Sequence, residues 1–166
     1  ALEARDGRSR ASELSATVME SAGHDEPRDL SAAVLWVLKG DAGQRAIVAQ
    51  AMGWRPAQEA SGTAWMTPLL AQLLDDPYDA VRFIAGRSLR STPGFEDFPY
   101  DFVAPQKDRY AAQLGAMRLW DRAGRGTPVP AAARAALLLE PDGRLRVNDM
   151  LRLVKERNDR PMLLRE

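Results

Sequence analysis

Val81, Ile84, Ala85, Ser88 and Leu89 are small or apolar positions spaced i, i+3, i+4, i+7 and i+8, which predicts one buried face of an α-helix. Asp75-Asp76-Pro77 is read as its start, with Pro77 in a first-turn position where a missing N–H costs nothing, and Thr92-Pro93-Gly94 as its stop. Upstream, Leu69, Leu70, Leu73 and Leu74 form a second apolar stripe, with Ser61, Gly62 and Thr63 as capping residues and Pro68 tolerated in the first turn. The short link between the two stripes predicts a helical hairpin.

The unit recurs one period earlier. A shift of 37 positions carries Arg82 onto Arg45, Ile84 onto Ile47, Leu89 onto Met52 and Pro77 onto Gly40. Ala33 to Leu38, a Lys39-Gly40-Asp41 turn and Ala42 to Met52 therefore make another hairpin. Tandem hairpins at such a period predict an α-solenoid, because neither hairpin can bury both its apolar sides alone. Flanking helices are expected at Arg10–Ala22 (Leu14, Val18 and Met19 inward, an N-terminal cap), at Gln106–Ala123 (Tyr110, Leu114, Met117 and Trp120 inward, ended by Gly124-Arg125-Gly126-Thr127-Pro128) and at Ala131–Leu138. Asp142-Gly143 reads either as a small hairpin turn or as a loop before a last helix, Asn148–Arg157, with Met150, Leu151 and Val154 inward.

The resulting expectation is an all-α superhelix of about three helical hairpins with flanking helices, forming one domain over 1–166. Within it, 1–9 is a charged linker, 29–92 holds the two best-defined repeats and 105–166 the C-terminal helices. The charged opening, and Ala1 in place of Met, suggest a piece of something larger or a processed chain. A chain of 166 residues with 45% hydrophobic and 28% charged content is consistent with one sizeable core.

Composition then restricts the chemistry. With no cysteine there is no disulfide, thiolate nucleophile, Cys-type zinc site or covalent haem attachment, and the single His24 cannot build a multi-histidine metal site. No phosphate-binding glycine loop or nucleophile elbow is present. Twenty-three Lys+Arg against twenty-three Asp+Glu supply no overall field for nucleic acid, and no stretch approaches the length of a membrane span.

Leu74-Asp75-Asp76-Pro77-Tyr78-Asp79-Ala80-Val81-Arg82-Phe83-Ile84-Ala85-Gly86-Arg87-Ser88-Leu89 resembles a HEAT repeat. The motif positions are Asp76, Pro77, Asp79, Val81, Arg82, Ala85 and Leu89, with Arg45 as the counterpart of Arg82 one repeat earlier. Together with Gly40–Ala46, Gly53-Trp54, Ala60-Ser61-Gly62, Pro99-Tyr100-Asp101-Phe102, and the closing Arg157-Asn158-Asp159-Arg160-Pro161 followed by Glu166, the chain resembles the haem-free helical region of bacterial multihaem cytochrome c proteins that carry HEAT or tetratricopeptide repeats. That resemblance implies no cofactor in this chain, haem on C-x-x-C-H motifs in an upstream part of a parent protein, and a periplasmic location.

Several residues remain as candidate sites. Arg45 and Arg82 read either as ligand-binding arginines or, with more weight, as partners of turn carboxylates such as Asp76 or Asp79. The segment containing Phe95, Phe98, Tyr100 and Phe102 reads as a protein-docking strip or, preferably, as a loop folded over the side of the helices. Arg157 and Arg160, in the basic closing stretch, complete the candidate protein contacts. Trp36, Trp54, Trp65 and Trp120 are assigned to packing. No catalytic, cofactor or metal residue is assigned. The expected role is a non-catalytic scaffold whose partner is a protein or the haem domain of the same polypeptide; the rivals are a HEAT-like lyase using Asp75, Asp79 or His24, and a nucleic-acid-binding solenoid.

Overall fold

The computed structural model describes residues 30–123 and 128–161. The linker 1–9, the cap helix Arg10–Ala22, His24, the stop at 124–127 and Glu166 lie outside the described residues. Within them the fold is all-α: α1 (Ala32–Lys39), α2 (Ala42–Met52), α3 (Arg55–Ser61), α4 (Met66–Gln72, continued by a 3-10 turn Leu73–Asp75), α5 (Asp79–Leu89), α6 (Gln106–Arg122) and α7 (Val147–Lys155).

Local chemistry explains the first hairpin. Ser31 caps α1 by accepting from the Val34 N–H, and Asp41 and Gln44 form a reciprocal capping box that opens α2 directly after Gly40. α2 then packs along α5, the corresponding helix of the next hairpin, while α4 lies between α5 and α6, and α7 returns to pack on α1. The core runs through all of them, from Val34, Val37 and Leu38 through Leu69, Leu70 and Leu74 to Leu89, Trp120 and Leu153.

Several expectations needed correction. Gly62, at φ 74°, closes α3, a helix the pattern did not reveal, instead of capping α4, whose N-cap is Trp65 and which has no side-chain cap. Pro77 precedes α5 instead of lying in its first turn, Tyr78 being the N-cap. Ala131–Leu138 is not an α-helix but two 3-10 turns, Ala131–Ala133 and Ala135–Leu137. Leu137, Leu138 and Leu139 are all buried, and a continuing helix would turn at least one of them outward; Leu138 instead adopts φ 58° and breaks the turn. At Asp142-Gly143 the turn reading holds: Leu139 and Leu145 form an antiparallel bridge, Gly143 sits at φ 82°, and α7 follows.

Two helices present different faces from those expected. On α6 the buried positions are Gln113, Ala116 and Trp120, because the Gln113 amide and Trp120 indole donate to the carbonyls of Gln72 and Ala64; Tyr110 and Leu114 are turned outward. On α7, Met150 and Leu153 are buried while Leu151 is exposed. Trp65 and Trp120 are core residues, whereas Trp36 and Trp54 are exposed, against the packing role assigned to all four.

Three glycines predict opposite outcomes. A Cβ at Gly86 would stand 2.6 Å from the Tyr100 ring, and one at Gly53 would stand 2.9 Å from the Ser88 Cβ, so each Ala substitution should cost about 1–3 kcal/mol of overpacking. Gly115 lies inside α6 with open space around it, and Gly115→Ala should stabilise by about 0.5–1 kcal/mol. Urea denaturation of the three variants checks the signs.

Candidate functional site

The Asp75-Asp76-Pro77 turn, between α4 and α5, collects three arginines from three helices. Arg45 on α2 is fully buried, and its three nitrogens face five acceptors: both carboxylate oxygens of Asp76 (2.8 and 3.1 Å), the carbonyls of Gly40 (2.6 Å) and Asn158 (3.2 Å), and Asp159 Oδ1 (3.2 Å). Three of these contacts are hydrogen bonds, to Gly40, Asn158 and Asp76 Oδ1, while Arg45 Nε and Asp76 Oδ2 meet as a buried ion pair without hydrogen-bond geometry. The Tyr78 ring lies 5.8 Å from the Arg45 guanidinium carbon, and the Tyr78 N–H donates to Asp76 Oδ1. Arg82 on α5 donates to the carbonyls of Asp76 (2.8 Å) and Pro77 (3.0 Å), and Arg109 on α6 to Asp75 Oδ1 (3.2 Å).

Of the two pairings expected with the turn carboxylates, Arg45 with Asp76 is present across the hairpins. Arg82 binds the same turn through backbone carbonyls and through neither Asp76 nor Asp79 carboxylate; Asp79 is exposed and accepts from the Ala80 N–H.

A shared geometry underlies these contacts, and sequence reasoning missed it. Arg45, Arg82 and Arg109 each occupy the fourth position of an α-helix, Arg134 follows the 3-10 turn Ala131–Ala133, and all four donate to the carbonyl five residues back, at Gly40, Pro77, Ala104 and Val129. Each ties the residue before the N-cap to the first turn, the polar equivalent of a hydrophobic staple. The signal was an arginine three residues into each helix, but only the first two were separated by the 37-residue period.

Two of these arginines, Arg45 and Arg82, also hold non-helical segments, the one after α7 and the aromatic one after α5. After α7, the stretch from Glu156 to Pro161 crosses the hairpin turns: the Asn158 N–H donates to the Lys39 carbonyl (3.0 Å), Lys39 pairs with Glu156 (2.8 Å), and the Tyr78 hydroxyl donates to the Arg160 carbonyl (3.0 Å). The Lys39 hydrogen bond, and then its charge, hold the Glu156 carboxyl below the usual range. Arg157 forks onto Asp159 and approaches Asp76 at 3.8 Å, while the Arg160 side chain is exposed.

The aromatic segment lies against α5. Phe95 is buried against Phe98; Phe98, Tyr100 and Phe102 are half-buried. Arg90 donates to the carbonyls of Phe98 (3.1 Å) and Tyr100 (2.8 Å), Arg82 to that of Phe102 (2.8 Å), and the Tyr100 hydroxyl to the Leu74 carbonyl (2.6 Å). Burial above all raises the Tyr100 pKa to about 12, the neighbouring Arg82 and Arg109 charges opposing it and Asp75 and Asp101 adding to it.

Outward from this framework, Ile47 (67% exposed) and Trp54 (63%) on and just beyond α2, and Phe83 (48%) on α5, stand clear of the core. Phe83 could have been found, since it falls off the stripe of Val81, Ile84, Ala85, Ser88 and Leu89. Among the described residues no group of three or more His, Asp or Glu side chains is arranged to hold a metal ion, and no helix is long and apolar enough to cross a membrane. Compared with known proteins, the chain matches no family model, no curated protein and no solved structure.

Two predictions follow from burial. Asp76→Ala leaves Arg45 as a buried charge without its main partner and should cost about 3–5 kcal/mol in chemical denaturation, whereas Arg55→Ala, breaking the exposed pair with Glu59, should cost no more than about 0.5 kcal/mol. Because the folded Tyr100 pKa lies above its ordinary value of 10.0, the stability it contributes is complete below that value and is lost as pH rises towards about 12. In ultraviolet titration one of the three tyrosines should ionise late, and Tyr100→Phe should delete that late step.

Proposed function

We propose that this chain is a non-catalytic protein-interaction scaffold whose hairpins stack in the manner of HEAT repeats. Its partner is another protein or the haem-bearing part of a longer cytochrome c-type polypeptide, in which case the setting is periplasmic. The observation that carries the reading is the exposure of Ile47, Trp54 and Phe83 on two helices packed side by side. Ile47, Gln50, Ala51 and Trp54 are exposed at one helical spacing on the α2 side, and Phe83, Arg87 and Arg90 at one spacing on α5. The ends of the two helices are tied together by Gln58 to Ser91 (2.9 Å) and Ser91 to the Gly53 carbonyl (3.4 Å). Large apolar side chains on a framework held this firmly offer contact area whose ordering is already complete.

The engagement of Arg45, Arg82, Arg109 and Arg134 by carbonyls and carboxylates of the fold, with a net charge of zero, supports a protein partner over a phosphate backbone. For an enzyme reading, Asp75 and Asp79 would have to converge on one cavity; Asp75 is tied to Arg109, and Asp79 faces solvent.

The double variant Ile47→Glu/Trp54→Glu should fold with a stability change of about 1 kcal/mol or less, since neither residue is in the core. It should lose the cross-links and the complex that the unmodified chain gives in pull-down and native mass spectrometry. An unmodified chain that returned only as an isolated monomer in all these measurements would remove the proposal.

A further inference from the structure

α5 and the aromatic segment enclose a groove of about 380 Å³, lined by Phe83, Gly86, Arg87 and Arg90 on the helix and by Tyr100, Asp101 and Phe102 opposite. Its walls are fixed. The Tyr100 ring fills the space left by Gly86, its hydroxyl is held by the Leu74 carbonyl, and Arg90 clamps the Phe98 and Tyr100 carbonyls. Phe83 and Phe102 meet edge to face with ring centres 5.2 Å apart, and Phe83 remains half exposed.

The charges of this groove are not balanced. Arg87 is exposed and has no hydrogen-bond or ion-pair partner among the described residues. Arg90 is engaged by carbonyls alone, so its charge meets no paired carboxylate. Asp101 is turned to the Val103 N–H at 3.0 Å. An apolar floor beside two cations is complementary to a side chain with an apolar body and a carboxylate next to it, and a guanidinium fork holds a carboxylate through two parallel bonds. The volume suits one anchoring side chain with its flanking backbone.

We propose that the groove lined by Phe83 and Phe102 binds an acidic peptide segment of a partner protein, its apolar anchor against the two contacting rings and its neighbouring carboxylate on Arg87. The exposed carboxylates of Asp79, Glu96 and Asp97 on α5 and its adjoining segment oppose a continuous polyanion such as a nucleic acid strand, but leave room for a single acid beside Arg87. This inference rests on the scaffold reading and names the docking chemistry of one part of it.

The test uses fluorescence anisotropy with a fluorescein-labelled Gly-Ser-Glu-Phe-Asp-Ser-Gly peptide, the same peptide with Lys replacing both acids, the same with Ala replacing Phe, and a labelled single-stranded oligothymidine. The acidic aromatic peptide should bind at least about tenfold more tightly than the other three. Arg87→Glu, which removes no side-chain partner within the described residues but places an anion in the last turn of α5, should reverse the preference towards the Lys peptide with only a small fall in melting temperature, and Phe83→Ala should weaken binding about tenfold. Equal binding of the acidic and basic peptides, binding unmoved by Arg87→Glu, no binding of any peptide, or tighter binding of oligothymidine would each overturn the assignment. Pull-down separates the two levels. A partner still captured by Phe83→Ala/Arg87→Glu but lost by Ile47→Glu/Trp54→Glu would overturn this groove and leave the scaffold standing, while a chain that captured nothing would sink both.

Discussion

A buried guanidinium needs opposite charge and acceptors gathered round it from several directions, and collecting them at Arg45 dictates much of the surrounding architecture. No single helix can supply five acceptors at the right positions. Arg45 draws one from its own turn at Gly40, two from Asp76 between α4 and α5, and two from the segment beyond α7 at Asn158 and Asp159. Partnering one charge thus brings two remote stretches of chain to the start of α2. The local charge balances as well: Arg45 and Arg157 stand against Asp76 and Asp159. Hydrophobic burial brings the helices together without fixing their register, whereas an ion pair with this geometry tolerates only one alignment of α2 on α5.

The neighbouring arginines extend the same device. Asp75 and Asp76 are adjacent in sequence, yet Asp76 is bound from α2 and Asp75 from α6, so one two-residue stretch joins helices on either side of it. Arg82 secures the backbone of that turn and reaches on to Phe102. There is a symmetry between Arg45 and Arg82. Each staples its own helix start and uses its remaining donors to fasten a non-helical segment, Asn158 in one case and Phe102 in the other. The irregular parts of the chain are therefore held by the same side chains that order the regular parts.

Much of this was legible in the amino-acid pattern. The apolar spacing located α1, α2, α4, α5, α6 and α7, and the 37-residue shift related Arg45 to Arg82, because helical period and turn chemistry are local properties. Faces were less secure. Tyr110 and Leu114 are apolar at the right spacing, but the α6 face is chosen by hydrogen bonds from Gln113 and Trp120 to distant carbonyls. The Ala131–Leu138 stretch has high helix propensity, and burial of three successive leucines overrides it. For the site, the Arg45–Asp76 pairing was foreseeable from the two hairpins alone, while the contributions of Asn158 and Asp159 depended on where the chain returns after α7.

Under the proposed reading, the arginines divide between structure and recognition. On the fold side, Arg45, Arg82, Arg90 and Arg109 spend their directional donors on carbonyls and carboxylates, and their replacement would disturb the framework before it disturbed any partner. Arg87 lies on the same helix as Arg82, one turn beyond it and facing solvent, its donors unclaimed among the described residues. Rigidity in the first group is what makes the second useful: a cation beside a groove whose walls cannot move loses little conformational freedom in the wall when a carboxylate arrives. The face formed by α2 and α5 can consequently vary at Ile47, Trp54, Phe83 and Arg87 without touching the buried charges behind it. Under the proposed scaffold reading, partner choice and folding would be governed by different residues of the same two helices.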